Sequence, residues 1–161
     1  MQTRFVDFVE DSQHHIDYYI ALLKKKNYLW GNFYLPHDAD NQVLQATKTV
    51  YQQVKAHFQN VFTVEKLPVI VGINEVRRAL PNCYFRESTT GLLLEHLENY
   101  SKRWSASLGA YTDDPLHDEH SHGCDAMRTF GVRHKILKDN DKKEILRGHK
   151  LITPNSFDPY D

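Results

Sequence analysis

Apolar residues recur along the chain in short bursts whose spacing keeps changing between two periods. Residues 5–9, Phe-Val-Asp-Phe-Val, alternate loosely and predict a strand close to the start. Ile16, Tyr19, Ile20 and Leu23 then step by three and four, which predicts a helix over 17–26. Lys24, Lys25 and Lys26 fall in its last turn, where cations complement the helix dipole. Asn32–Leu35 is a short strand stopped by Pro36. Residues 40–47 are polar and read as loop. Val50, Val54 and Phe58 mark one face of a second helix, and 61–64 is a β-branched strand. Residues 72–80 are helical, with Ile73, Val76, Ala79 and Leu80 inward and Pro81 as the stop. Cys83–Phe85 is a further short strand. Leu93, Leu94, Leu97, Tyr100 and Trp104 predict a helix over 90–104, and 111–116 reads as loop around Pro115. A last helix begins at 120–130 and extends to Leu137. Short strands alternating with helices of about ten residues give an α/β class with some parallel pairing.

With 161 residues the chain fits one domain and is long enough to bury a core without staples. Residues 1–138 are expected to form it, with 139–161, a run of charges followed by Pro154 and Pro159, as a weakly ordered tail. A content of 40% hydrophobic and 25% charged residues excludes a collagen-like, low-complexity or wholly disordered chain. The net charge of −1 confines any nucleic-acid surface to a local patch. No apolar run approaches the roughly 18 residues of a membrane span, and the first residues lack the apolar core of a signal peptide. Two cysteines make no disulfide framework, so a reducing cytoplasm is the expected compartment.

Two segments could carry chemistry. In Tyr34-Leu35-Pro36-His37-Asp38-Ala39 an acid follows directly on an apolar strand. Ligands sit at the carboxyl ends of strands in open α/β sheets, so Asp38 could hold a metal or act as a base. Position alone fits a turn-capping Asp more often. The second segment packs His117, Asp118, Glu119, His120, His122, Cys124 and Asp125 into nine positions. On a helix, Asp118, His122 and Asp125 share a face. Their carboxylates suit Mg²⁺ or Mn²⁺, and an imidazole can join a Mn²⁺ or Zn²⁺ site. Asp118 or Ser121 could equally be an N-cap, with Cys124 a small buried residue and His117 and His120 exposed or capping. Zinc held by His117, His120, His122 and Cys124 is a further reading, weakened because points on one helix surround a tetrahedral ion poorly. Lys48, Arg77 and Arg78, like Lys102 and Arg103, could meet phosphate, although such residues are usually a solvated face.

In their order these segments resemble the C-terminal nuclease domain of phage terminase large subunits. The likeness runs over about 4–130. It begins with Val6-Asp7-Phe8-Val9-Glu10-Asp11-Ser12, the Tyr18-Tyr19 helix and Tyr34-Leu35-Pro36-His37-Asp38-Ala39. It continues through Gly72-Ile73-Asn74-Glu75-Val76-Arg77-Arg78, Pro81-Asn82-Cys83-Tyr84-Phe85 and the helix opened by Gly91-Leu92. It closes on 115–128, which holds His117-Asp118, His122 and Asp125.

The resemblance implies an RNase H-like mixed sheet flanked by helices, and a two-ion Mg²⁺ or Mn²⁺ endonuclease cutting concatemeric double-stranded viral DNA. By motif, Asp38 and Asp125 match metal-binding carboxylates, His122 a histidine near the metals, and Asp118 a supporting residue behind them. In the family the first catalytic Asp lies on a strand before 5–9. The resemblance therefore implies an N-terminally truncated domain, lacking that strand and the ATPase domain and doubtful as an enzyme alone. An upstream chain could supply both. The portal and the small terminase subunit are the other implied partners, in the cytoplasm of a bacterial host carrying the phage or prophage. A non-catalytic DNA- or portal-binding module is the alternative.

Overall fold

The computed structural model describes residues 2–42 and 46–150, without the side chains at 113 and 136–150. In chain order the elements are β1 (Thr3–Phe5), α1 (Ile16–Lys25), β2 (Asn32–Leu35), α2 (Val50–Lys55), β3 (Asn60–Thr63) and α3 (Val69–Ala79). A 3₁₀ turn at Leu80–Asn82 leads into β4 (Cys83–Phe85), α4 (Glu87–Asn99), β5 (Lys102–Ser105), β6 (Ala110–Pro115) and α5 (Ser121–Lys150). The class is mixed α/β.

The described strands form three two-stranded sheets. β1 pairs parallel with β4, and β2 parallel with β3 in the register Leu35 to Thr63. β5 and β6 form an antiparallel hairpin. The parallel pairs follow from the connections, because each joins its strands through helices rather than a tight turn.

Alternation along β2 and β3 sorts their side chains. Phe33, Leu35 and Val61 turn toward α1 and α2, where Ile20, Val54 and Phe58 complete a first apolar cluster. Tyr34 and Phe62 stack on the opposite face at 5.7 Å, and the Arg133 guanidinium of α5 lies 4.6 Å over the Tyr34 ring. A second cluster gathers Val76, Leu93 and Met127 from α3, α4 and α5, with Phe5 and Phe85 of the other parallel pair against it. α2 starts on a capping box: Gln52 N donates to Thr49 Oγ1 at 3.1 Å, and Thr49 N to Gln52 Oε1 at 3.2 Å.

α3 and α5 cross with almost nothing between their backbones. A Cβ on Gly131 would stand 2.8 Å from the Gly72 carbonyl and 2.7 Å from Val76 Cγ2. A Cβ on Gly72 would meet the Arg128 stem.

Several elements differ from their sequence expectation. β1 ends at Phe5, because the next residues turn away to α1 and α4. Asp7 accepts from Lys26 Nζ at 2.6 Å, and Phe8 N donates to the Thr89 carbonyl. The helix expected over 90–104 is α4, which stops at Asn99 where Tyr100 becomes extended. Trp104 faces Tyr111 across the β5–β6 hairpin, ring centroids 5.0 Å apart, and 111–116 is mostly strand rather than loop. Gly109, with φ of 59°, takes the left-handed turn position that makes the hairpin. α5 continues past Leu137 to Lys150; residues 151–161 of the expected tail lie outside the described residues. No helix of the described residues is long and apolar enough to cross a membrane.

Candidate functional site

Parallel pairing brings the carboxyl ends of β2 and β3 side by side. The chain leaves β2 through Pro36 into a turn at 37–40, closed by Ala39 N donating to the Pro36 carbonyl at 3.1 Å. That turn holds Asp38 exposed at its outer side. Val64 N still reaches the Leu35 carbonyl at 2.9 Å, so Glu65 emerges beside the same turn. The amino-terminal part of α5 forms the facing wall. Between them lies a cleft of about 850 Å³, lined by Pro36, His37 and Asp38, by 64–69, and by Asp125, Ala126, Arg128, Thr129 and Val132.

Asp38 and Asp125, drawn from opposite halves of the sequence, therefore line one cavity, and Glu65 adds a third carboxylate. Lys66, Arg128 and His37 supply the basic side. Arg128 Nη1 lies 3.1 Å from Asp125 Oδ1, one turn along the helix, with its stem against Gly72. Carboxylate oxygens are the donor class that Mg²⁺ and Mn²⁺ prefer, so the chemistry of the lining fits a hard divalent cation. Among the described residues, no three His, Cys, Asp or Glu side chains stand grouped as a metal cluster. Asp125 is instead neutralised by Arg128.

His122 stands apart from this pair. It lies three residues before Asp125, a rotation of about 60° short of a full turn, and it lines a second cleft with Glu10, Asp11, His96 and His120. Asp118 lies just before α5, not on it. Its Oδ1 accepts from His120 N at 3.0 Å, and its carbonyl accepts from Ser121 N and Oγ. It thus shapes the helix start, which is the capping alternative. The four residues of the zinc reading do not assemble either. His117 and His122 are exposed, and Cys124 is buried with its thiol donating to the His96 carbonyl at 3.4 Å. Burial pushes that thiol up to about 11, the wrong direction for a thiolate ligand.

The expected basic residues do not line the acidic cleft. Lys48 precedes α2 in a loop, Arg77 faces a small pocket beside Tyr100 and Leu97, and Arg78 pairs with Glu75 at 2.6 Å. Glu65 and Lys66 were not singled out from the sequence. The available signal was the rule applied to Asp38: a polar residue just past an apolar strand, here two residues beyond Thr63.

Comparison of the chain with protein-family models, with curated proteins and with solved structures gives no match.

Proposed function

We propose that the chain is a metal-dependent endonuclease domain of the phage terminase large-subunit type, with an RNase H-like fold, acting on concatemeric double-stranded DNA. The observation that carries this reading is that Asp38 and Asp125 line one cleft. Their motifs marked both residues independently of any contact between them. Asp38 and Asp125, with Glu65 on the same cleft, would supply the carboxylates for Mg²⁺ or Mn²⁺. Ions held there would supply activation of a water and charge stabilisation at the leaving oxygen of an in-line displacement. Lys66 and Arg128 orient the phosphodiester. Arg128 also competes for Asp125, so metal loading requires that ion pair to open. Asp118 positions the start of α5, and His122, on the other cleft, takes no part in the reaction. An ATPase-bearing partner chain contributing a further Asp would complete the carboxylate set. The portal and small terminase subunit are the other partners of this reading.

The ion pair that occupies Asp125 with Arg128 favours one second reading, a DNA- or portal-binding module without catalysis. Plasmid cleavage in Mn²⁺ separates the two, with the chain alone and mixed with its ATPase-bearing partner. The nuclease reading expects weak cleavage alone and strong cleavage in the mixture. Asp38→Asn or Asp125→Asn should lower it by about 100-fold or more, the scale for groups acting on transition-state charge. DNA binding without cleavage in either sample would favour the binding module and overturn the nuclease.

A further inference from the structure

A chain of polar side chains centred on buried His96 lies outside the acidic cleft and takes no part in the reaction proposed for it. His96 of α4 is 5% exposed. Its Nε2 is 2.5 Å from Glu10 Oε2, and its Nδ1 is 3.1 Å from His120 Nδ1. The neighbours fix the ring. Phe8 meets it edge-on, and Gly123 of α5 lies so close that a Cβ there would stand 2.5 Å from His96 Cδ2. Behind the other imidazole, Glu119 Oε1 lies 3.8 Å from His120 Nε2. Each histidine thus presents its Nδ1 to the other, and His96 has the Glu10 carboxylate at its Nε2, whereas exposed Glu119 stays beyond hydrogen-bond distance of His120.

That arrangement has a specific chemical use. A carboxylate at one ring nitrogen fixes the N–H there and leaves the other nitrogen as a lone-pair donor, the second layer usual behind metal-bound histidine. With Glu10 at Nε2, neutral His96 carries its lone pair on Nδ1. His120 does the same in the tautomer that carries its proton on Nε2. Two nitrogens bound to one tetrahedral zinc, each at about 2.0–2.1 Å, lie about 3.3 Å apart. The observed 3.1 Å needs a shift of only a few tenths of an ångström. The pair also borders a cleft of about 790 Å³ that His122, Glu95 and Asp11 line, open to water for the remaining positions.

We infer that His96 Nδ1 and His120 Nδ1 form a binding site for a zinc-class divalent cation, with Glu10 supporting the His96 ring. With two protein ligands the site binds more weakly than a four-ligand structural zinc. It involves neither Asp38 nor Asp125, so it stands or falls independently of the nuclease reading.

The test uses the whole chain carrying Asp38→Asn and Asp125→Asn, which removes the acidic cleft as a competing site. Calorimetric titration with Zn²⁺ is expected to show saturable one-to-one binding. Co²⁺ should give visible absorption that Zn²⁺ abolishes. His120→Ala should eliminate both signals, and Glu10→Gln should weaken binding about 10–100-fold, the usual effect of losing such a supporting group. His117→Ala, at an exposed position, should change nothing. Circular dichroism confirms that each variant is folded. No saturable binding at millimolar Zn²⁺, or equal binding by folded His120→Ala, would overturn the site and leave the contacts as a hydrogen-bonded clamp.

Discussion

Cys124 and Cys83 show how one residue type is given two chemistries by its surroundings. Cys124 is 4% exposed between α4 and α5, and burial with the neighbouring Asp125 charge lifts its thiol to about 11. Cys83 is only half-buried, and burial raises its thiol less far. The thiolate is the reactive form, so a disulfide reagent near pH 8 should modify Cys83 first. Cys124 should react at the rate of unfolding, with both thiols reacting together in denaturant. Mass spectrometry of the partly modified protein reads the order directly. At this scale the sequence was informative about kind and poor about company. Asp38 and Asp125 were recognisable as chemically placed acids, and they do share a cleft. Nothing in the local pattern tied His96 to Glu10, because the two lie far apart in the chain and meet only through packing. For the same reason His120 passed for a surface histidine.

Between β1 and α1 one ion pair stands in for a strand. The Lys26 ammonium donates to Asp7 at 2.6 Å and the Tyr28 hydroxyl to the same oxygen at 3.0 Å. The lysine hydrogen bond, aided by that of Tyr28, holds the Asp7 carboxyl below the usual carboxylate range and raises Lys26 above the usual lysine value. The Asp7 contribution to stability is therefore fully present above the ordinary carboxylate pKa. It is lost as pH falls through its lowered folded value. That of Lys26 is present below the ordinary lysine pKa and lost as pH rises through its raised one. Asp7→Asn should flatten the acid limb of a plot of urea midpoint against pH, and an unchanged limb would contradict this assignment. Elements whose faces are read by one core were legible. α1 and α3 sit within a few residues of their expected bounds, and Asn32–Leu35 and Cys83–Phe85 were found outright. The β5–β6 hairpin was missed because Tyr100 and Trp104 happen to continue the four-residue step of α4. Strand β6, with its run of Thr and Asp, carries no apolar alternation to announce it.

At the scale of the whole molecule, two apolar clusters built by different elements are joined through α5. Phe130 and Met127 pack into one, while Arg133 reaches Tyr34 on the outer face of the other. The α/β class and its parallel pairing were visible in the order of elements. The division of the described strands into separate two-stranded sheets was not, because pairing partners depend on which helices intervene. The same α5 carries Asp125 on the cleft wall, about 9 Å along the axis from Gly131, at 1.5 Å per residue. Gly131→Ala would drive a methyl against the Gly72 carbonyl and Val76, with backbone on the far side that cannot rotate away. It should cost about 1–3 kcal/mol, the range for overpacking, as read by urea denaturation.

Where Gly131 of α5 meets α3, the spacing is set largely by the van der Waals radii of main-chain atoms. Elsewhere in a protein, long side chains act as compressible packing that absorbs small errors of placement. At Gly131 there is no such cushion, and the crossing behaves as a hard stop. One wall of the cleft is thereby given a fixed seat. The catalytic geometry proposed for Asp38 and Asp125 inherits its tolerance from one missing methyl group, at Gly131.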